Sequence, residues 1–107
     1  MRNIKLGNRT IGPGNSCFII AEAGVNHNGD VETAKKLVDV AVEAKADAVE
    51  FQTFRVDLLT SENAPKAPYQ QVSTNPDETQ ANMLRKLELS HVNFRDIQNY
   101  CQSKGIM

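Results

Sequence analysis

The side chains best suited to act on a small ligand lie in two short stretches. Glu22, Asn26, His27 and Asn28 belong to CFIIAEAGVNHNGD, residues 17–30, and Glu50 and Gln52 belong to DAVEFQT, residues 47–53. The first stretch opens as an apolar run, reaches a carboxylate, and passes through a polar, glycine-punctuated loop to a helix start at Asp30. That order of strand, loaded loop and helix is how α/β proteins present chemistry at the C-terminal ends of parallel strands. If the two stretches form adjacent parallel strands, Glu22, Glu50 and Gln52 point into one pocket. Two close carboxylates repel, so either one of them keeps its proton or a cation lies between them.

The elements that must hold these residues are legible in outline. Phe18 to Ala21 is continuously apolar and β-rich, which suits a strand buried on both faces. Asp30 is an N-cap with Glu32 in the first turn. Ala34, Leu37, Val38, Ala41 and Ala44 then fall on one helical stripe, with Lys35, Lys36, Asp39 and Glu43 opposite. In the second strand, Asp47 to Thr53, period two puts Val49, Phe51 and Thr53 under the helices. Ala48, Glu50 and Gln52 take the other face.

Ahead of this unit, residues 3–12 read as a hairpin turning at Gly7-Asn8, ended by Gly12-Pro13-Gly14. Behind it, residues 54–74 show no period and read as a long loop, a form uncommon unless it serves as a lid, binding loop or linker. Asn75 as N-cap, Pro76, Asp77 and Glu78 sign the next helix, with Met83, Leu84 and Leu87 as its buried stripe. A further helix starts near Ser90, buries Phe94, Ile97 and Cys101, and stops at Gly105. Ile106-Met107 begin another strand.

A chain of 107 residues allows one domain. With 40% hydrophobic and 23% charged residues it reads as globular. The net charge, 12 − 13 = −1, gives no electrostatic case for nucleic acid or a membrane surface. No apolar run approaches the roughly 18 residues of a membrane span. Cys17 and Cys101 fit no metal or redox spacing, and two reduced thiols suit a cytoplasmic protein. A closed βα barrel needs about 250 residues, so two or three strands in this order read as the front of a larger protein.

FIIAEAGVNHNGD, ADAVEFQTF, APYQ, DETQANMLRKLELS and YCQSKGIM together, in this order, resemble the N-terminal part of the sialic acid synthase family. The resemblance spans roughly residues 17–107. It implies an α/β fold, the N-terminal portion of a TIM (β/α)8 barrel, with residues 1–14 a preceding hairpin and 15–107 the first part of the barrel, truncated near the third strand. The family condenses phosphoenolpyruvate with an N-acylated amino sugar, releasing phosphate, with the help of a divalent metal, manganese or magnesium. Its metal-binding histidines come from later strands, so the resemblance places the ligands outside this chain and assigns none to His27. It further implies a homodimer at full length.

Carried over by position, Glu22 matches the acidic residue after the first strand and is the catalytic candidate. Asn26 and His27 match the substrate-binding loop that follows, and Gln52 a residue near the amino sugar. Asn75 matches a further sugar contact less well than it fits a capping role. Tyr69 and Gln70 resemble members that handle diacetamido nine-carbon sugars of the legionaminic type.

Two departures stand out. The family carries Lys, a phosphate contact, where this chain has Glu50. At ~4 Å and an effective dielectric of ~20, attraction and repulsion are each about 4 kcal/mol before solvent relaxation. Lys45 stands where the family has Gly after the first helix; at a left-handed position a non-glycine residue costs about 1–2 kcal/mol. Three readings follow: an enzyme fragment inactive by itself, a catalytically inactive binding or interaction module with the same opening elements, and a self-contained small α/β domain.

Overall fold

A computed structural model describes residues 2–75 and 77–107. The elements are β1 (Ile4–Leu6), β2 (Arg9–Ile11), β3 (Ile20–Gly24), α1 (Val31–Glu43), β4 (Ala48–Phe51), α2 (Val56–Leu59), α3 (Pro68–Ser73), α4 (Gln80–Arg85) and α5 (His91–Lys104). β1 and β2 form an antiparallel hairpin, and β3 and β4 a parallel pair crossed over by α1. Neither two-stranded sheet is closed. Among the described residues no helix is long and apolar enough to cross a membrane.

The first helix forms for local reasons. Asp30 accepts the Thr33 backbone N–H at 3.0 Å and the Thr33 hydroxyl at 2.6 Å, satisfying a donor that the helix start leaves free. Its apolar stripe, Ala34, Val38 and Ala41, is buried against Ile97 and Cys101 of α5, with Leu89 and Ile106 completing the core. Ala21, Val49 and Phe51 pack on this core from the sheet. Only one face of the sheet is covered. On the other, Ile20 is 55% exposed, and Glu22 and Glu50 are exposed beside it. The expectation of a first strand buried on both faces is therefore corrected: α1 and α5 cover one side, and among the described residues no element packs on the other.

Element boundaries also shift. The first strand runs from Ile20 to Gly24, so Glu22 sits inside it. Asp47 fixes the start, because its carboxylate accepts the Ile19 N–H at 2.8 Å and pairs with Arg9, and the ladder then opens at Ile20↔Ala48. Arg9 also reaches Ser16 Oγ and the Cys17 carbonyl, tying the hairpin to the foot of the sheet. The second strand is shorter than its apolar alternation suggested, Ala48 to Phe51, although Gln52 N–H still reaches the Gly24 carbonyl at 3.2 Å.

The long connection after β4 is not structureless. α2 starts where the Glu88 carboxylate accepts the Val56 N–H at 3.1 Å, a cap supplied 32 residues away. α3 begins at Pro68, and Gln70 Oε1 accepts the Ala67 N–H at 3.0 Å. The following helix starts at Gln80, with Thr79 as its N-cap. Asn75 instead makes a local turn, its side chain accepting the Asp77 N–H at 3.0 Å, so the expected helix start at Asn75 is corrected; Pro76, read as its first helical residue, lies outside the described residues. α5 follows its sequence signals: Ser90 and Asn93 cap one another, and Gly105 ends the helix with φ 75°.

Candidate functional site

The parallel register sets Glu22 directly beside Glu50 on the open face of the sheet. Adjacent strands lie about 4.8 Å apart, so the two carboxylates share one patch of surface. An irregularity between Glu22 and Gly24 then shifts the pairing to Gly24↔Phe51. This places the Gln52 side chain over the end of β3, where its Nε2 lies 3.9 Å from the position a Cβ on Gly24 would occupy. Glu22, Glu50 and Gln52 thus converge on one face.

The loop from Val25 to Asp30 is wound tightly above them. Asn26 is exposed, and both its backbone N–H and its side-chain amide donate to the Ala23 carbonyl, at 3.1 and 2.9 Å. His27 is fully buried. Its Nδ1 accepts the Gly29 N–H at 2.9 Å, which fixes the neutral tautomer with the proton on Nε2. Nε2 itself is buried without a partner among the described residues. The ring lies 6.2 Å from that of Phe51, tilted by 38°. Burial pushes the imidazole below its ordinary pKa, because a charged ring there would lose its water. His27 therefore sits beneath the loop, while Asn26 stands at its surface.

Gly29 explains how closely the loop packs. A Cβ at this position would overlap the Lys86 carbonyl oxygen, and φ is 77°. Only glycine satisfies both demands. Between this loop and the 74–87 segment lies a cleft of about 510 Å³ that includes Asn28, Thr74, Asn75, Glu78 and Lys86. A second cleft, about 520 Å³, is bounded by Val49, Phe51, Phe94, Ile97 and Met107 on the packed side of β4, away from the carboxylates.

Reasoning from sequence missed the charged cluster behind the first cleft. Lys66 is buried, and its ammonium donates to Thr74 Oγ1 and the Asn75 carbonyl and lies 3.7 Å from Glu78. The other Glu78 oxygen pairs with Lys86, which together with Lys66 holds that carboxyl below the usual carboxylate range despite its burial. No spacing signals this set, since its members lie 8 to 20 residues apart in an aperiodic segment. Among the described residues, no three His, Cys, Asp or Glu side chains come together in a way that would hold a metal ion.

Comparison with known proteins shows what the chain is similar to. A model of the NeuB family matches residues 37–107. The N,N'-diacetyllegionaminic acid synthase of Legionella pneumophila is 50% identical over 91 residues, covering 85% of this chain and 26% of the relative. The N-acetylneuraminate-9-phosphate synthase of Homo sapiens is 36% identical over 98 residues, 92% of this chain and 27% of the relative. The crystal structure of the N-acetylneuraminic acid (sialic acid) synthetase of Leptospira borgpetersenii, in complex with citrate, superposes with a TM-score of 0.78 at 33% identity. It covers 99% of this chain and 32% of that one. The chain spans about a quarter of the length of the curated relatives it matches.

Proposed function

The chain belongs to the NeuB family, and on that premise we propose that it forms the N-terminal part of a phosphoenolpyruvate-dependent synthase that extends an N-acylated amino sugar to a nine-carbon sialic-type acid. The observation that carries this reading is the parallel β3–β4 pair with Glu22 and Gln52 on its open face. Its fold is read as the first strands of a TIM (β/α)8 barrel. Met107 supports this, since it bonds to the free edge of β4 in the pattern of a third parallel strand: its N–H donates to the Asp47 carbonyl and its carbonyl accepts the Val49 N–H. Barrel enzymes place their chemistry at the C-terminal ends of such strands.

In this reading Glu22 is the catalytic candidate, and Asn26 and Gln52 contact substrate from the loop and the second strand. His27 acts in the same loop from beneath. The sugar is assigned to the diacetamido class, for which the similarity to a diacetyllegionaminic acid synthase and the pair Tyr69-Gln70 speak. The divalent metal expected of such an enzyme finds no donor set among the described residues. Its ligands are proposed to lie beyond Met107. The full-length enzyme is proposed to be a cytoplasmic homodimer, and these 107 residues to be inactive by themselves.

Glu50 favours a second reading, a binding module without synthase activity. It stands in register with Glu22 where the family resemblance calls for a cation, so a phosphate approaching this face meets two carboxylates. Titrating phosphoenolpyruvate into the full-length polypeptide and its Glu50→Lys variant separates the two. The Glu50→Lys protein is expected to bind at least tenfold more tightly. Equal affinities would remove the charge argument, and tight binding by the unaltered protein would restore the first reading in full.

A further inference from the structure

Lys66 is the buried charge for which the proposed chemistry has no use. Its ammonium is wholly enclosed: it donates to Thr74 Oγ1 and the Asn75 carbonyl and faces the Glu78 carboxylate at 3.7 Å. Its own carbonyl accepts the Gln71 side-chain amide at 3.1 Å. α3 is only six residues long and α2 only four, too short to order the segment by themselves. A buried lysine held by two hydrogen bonds and an ion pair does so instead.

The contacts continue outward. Glu78, largely buried, bonds with its second oxygen to Lys86, and the backbone of Lys86 abuts Gly29 so closely that a Cβ there would overlap its carbonyl oxygen. A continuous chain of contacts therefore runs from Lys66 through Glu78 and Lys86 to the loop that carries Asn26 and Asn28. Asn28 and Asn75, one from each side, line the cleft between the two segments.

We infer that Lys66 is a positioning residue that couples the 66–78 segment to the β3–α1 loop, through Glu78 and Lys86, and so sets the width of the cleft between Asn28 and Asn75. The functional weight of that cleft rests on the synthase reading, because it treats the loop as part of the substrate face. The coupling itself does not.

Hydrogen–deuterium exchange on the full-length polypeptide tests it. In Lys66→Met, exchange should accelerate in residues 70–79 and, about tenfold, in residues 26–30. In Lys86→Gln, whose side chain is 70% exposed and contributes little packing, residues 70–75 should stay protected while 26–30 accelerate to a similar degree. Lys86→Arg, which keeps a cation for Glu78, should behave as the parent. The double variant Lys66→Met/Lys86→Gln should add nothing further at 26–30, since both changes break one chain of contacts. Unchanged exchange at 26–30 in Lys86→Gln overturns the coupling, including where Lys66→Met fails to fold, and so do effects that multiply in the double variant. Loss of the synthase reading would show as absent turnover in the parent protein, with these exchange rates unaffected.

Discussion

The end of α1 offers a test in which sequence and backbone make a quantitative statement together. Lys45 has φ 60°, a left-handed conformation that costs an L-residue roughly 1–2 kcal/mol. It adopts it because the helix ends in a paired hydrogen-bond motif: Lys45 N–H donates to the Val42 carbonyl and Ala46 N–H to the Ala41 carbonyl, both at 3.0 Å. α5 ends in the same way, Gly105 N–H to Gln102 at 3.2 Å and Ile106 N–H to Cys101 at 3.1 Å, but with glycine in the left-handed place. The Lys45 side chain is exposed, so Lys45→Gly loses little packing. Against the relieved strain stands the greater freedom of glycine in the unfolded chain, about 0.4–1 kcal/mol. The net is a stabilisation of about 0.5–1 kcal/mol, or two- to fivefold slower exchange of the Ala44 amide, whose bond to the Val40 carbonyl closes the last turn. Gly105→Ala should do the reverse by a similar amount, because a Cβ there meets nothing within 4 Å and only the backbone term remains. Faster or unchanged exchange in Lys45→Gly, with slowed exchange at the end of α5 in Gly105→Ala, would refute the strain argument.

The other expectations concern charge. Asp47 receives Arg9 on one oxygen and the Ile19 N–H on the other, and its side chain is only 13% exposed. Asp47→Ala leaves both donors without their acceptor and should cost about 1–3 kcal/mol, read as loss of exchange protection at Ile19 and Ile20. His27 should titrate below its ordinary value of about 6.5 when its ring protons are followed by NMR. Because the lowered value means that the folded state binds this proton more weakly than the unfolded chain, the stability it contributes is complete above about pH 6.5. It is lost progressively as the pH falls toward the folded-state value. A His27 midpoint at or above 6.5 would contradict the buried, neutral ring.

What the sequence showed depended on how local the determining contacts are. The Asp30 cap, the Ser90 start and the Gly105 stop are each decided within four residues and appear where the sequence put them; of the α1 stripe, Ala34, Val38 and Ala41 are buried, Leu37 is half-buried and Ala44, at the helix end, is exposed. The segment from Thr53 to Thr79 depends on partners far away. Glu88 caps α2 from 32 residues downstream, and Lys66 reaches forward to Thr74, Asn75 and Glu78. No period or capping pattern encodes such contacts, so the short helices and the buried lysine were illegible. The same distinction holds at the candidate site. Alternation alone put Glu50 and Gln52 opposite Val49 and Phe51, but that Glu22 lies directly beside Glu50 is a matter of strand register. Register is set by Asp47, which holds Ile19 by its N–H and the hairpin by Arg9.

That register makes Glu50 the decisive residue of the face. The side bearing Ala21, Val49 and Phe51 is closed by α1 and α5, whereas the side bearing Ile20, Glu22 and Glu50 is open. On the open side Ile20 is 55% exposed, next to the two carboxylates. In the proposed barrel this face would be turned inward, with the apolar residue at the foot of the strand and the charges toward its C-terminal end. Closing further strands around it would confine the carboxylates in a lower dielectric and strengthen their mutual repulsion. A neighbouring cation would offset that repulsion, and under the proposed synthase reading it would also help to accept a phosphate. Glu50→Lys supplies one from the chain itself. For this reason the affinity of that single variant for phosphoenolpyruvate discriminates between an enzyme and an inactive relative more sharply than any change at Glu22, which both readings leave in place.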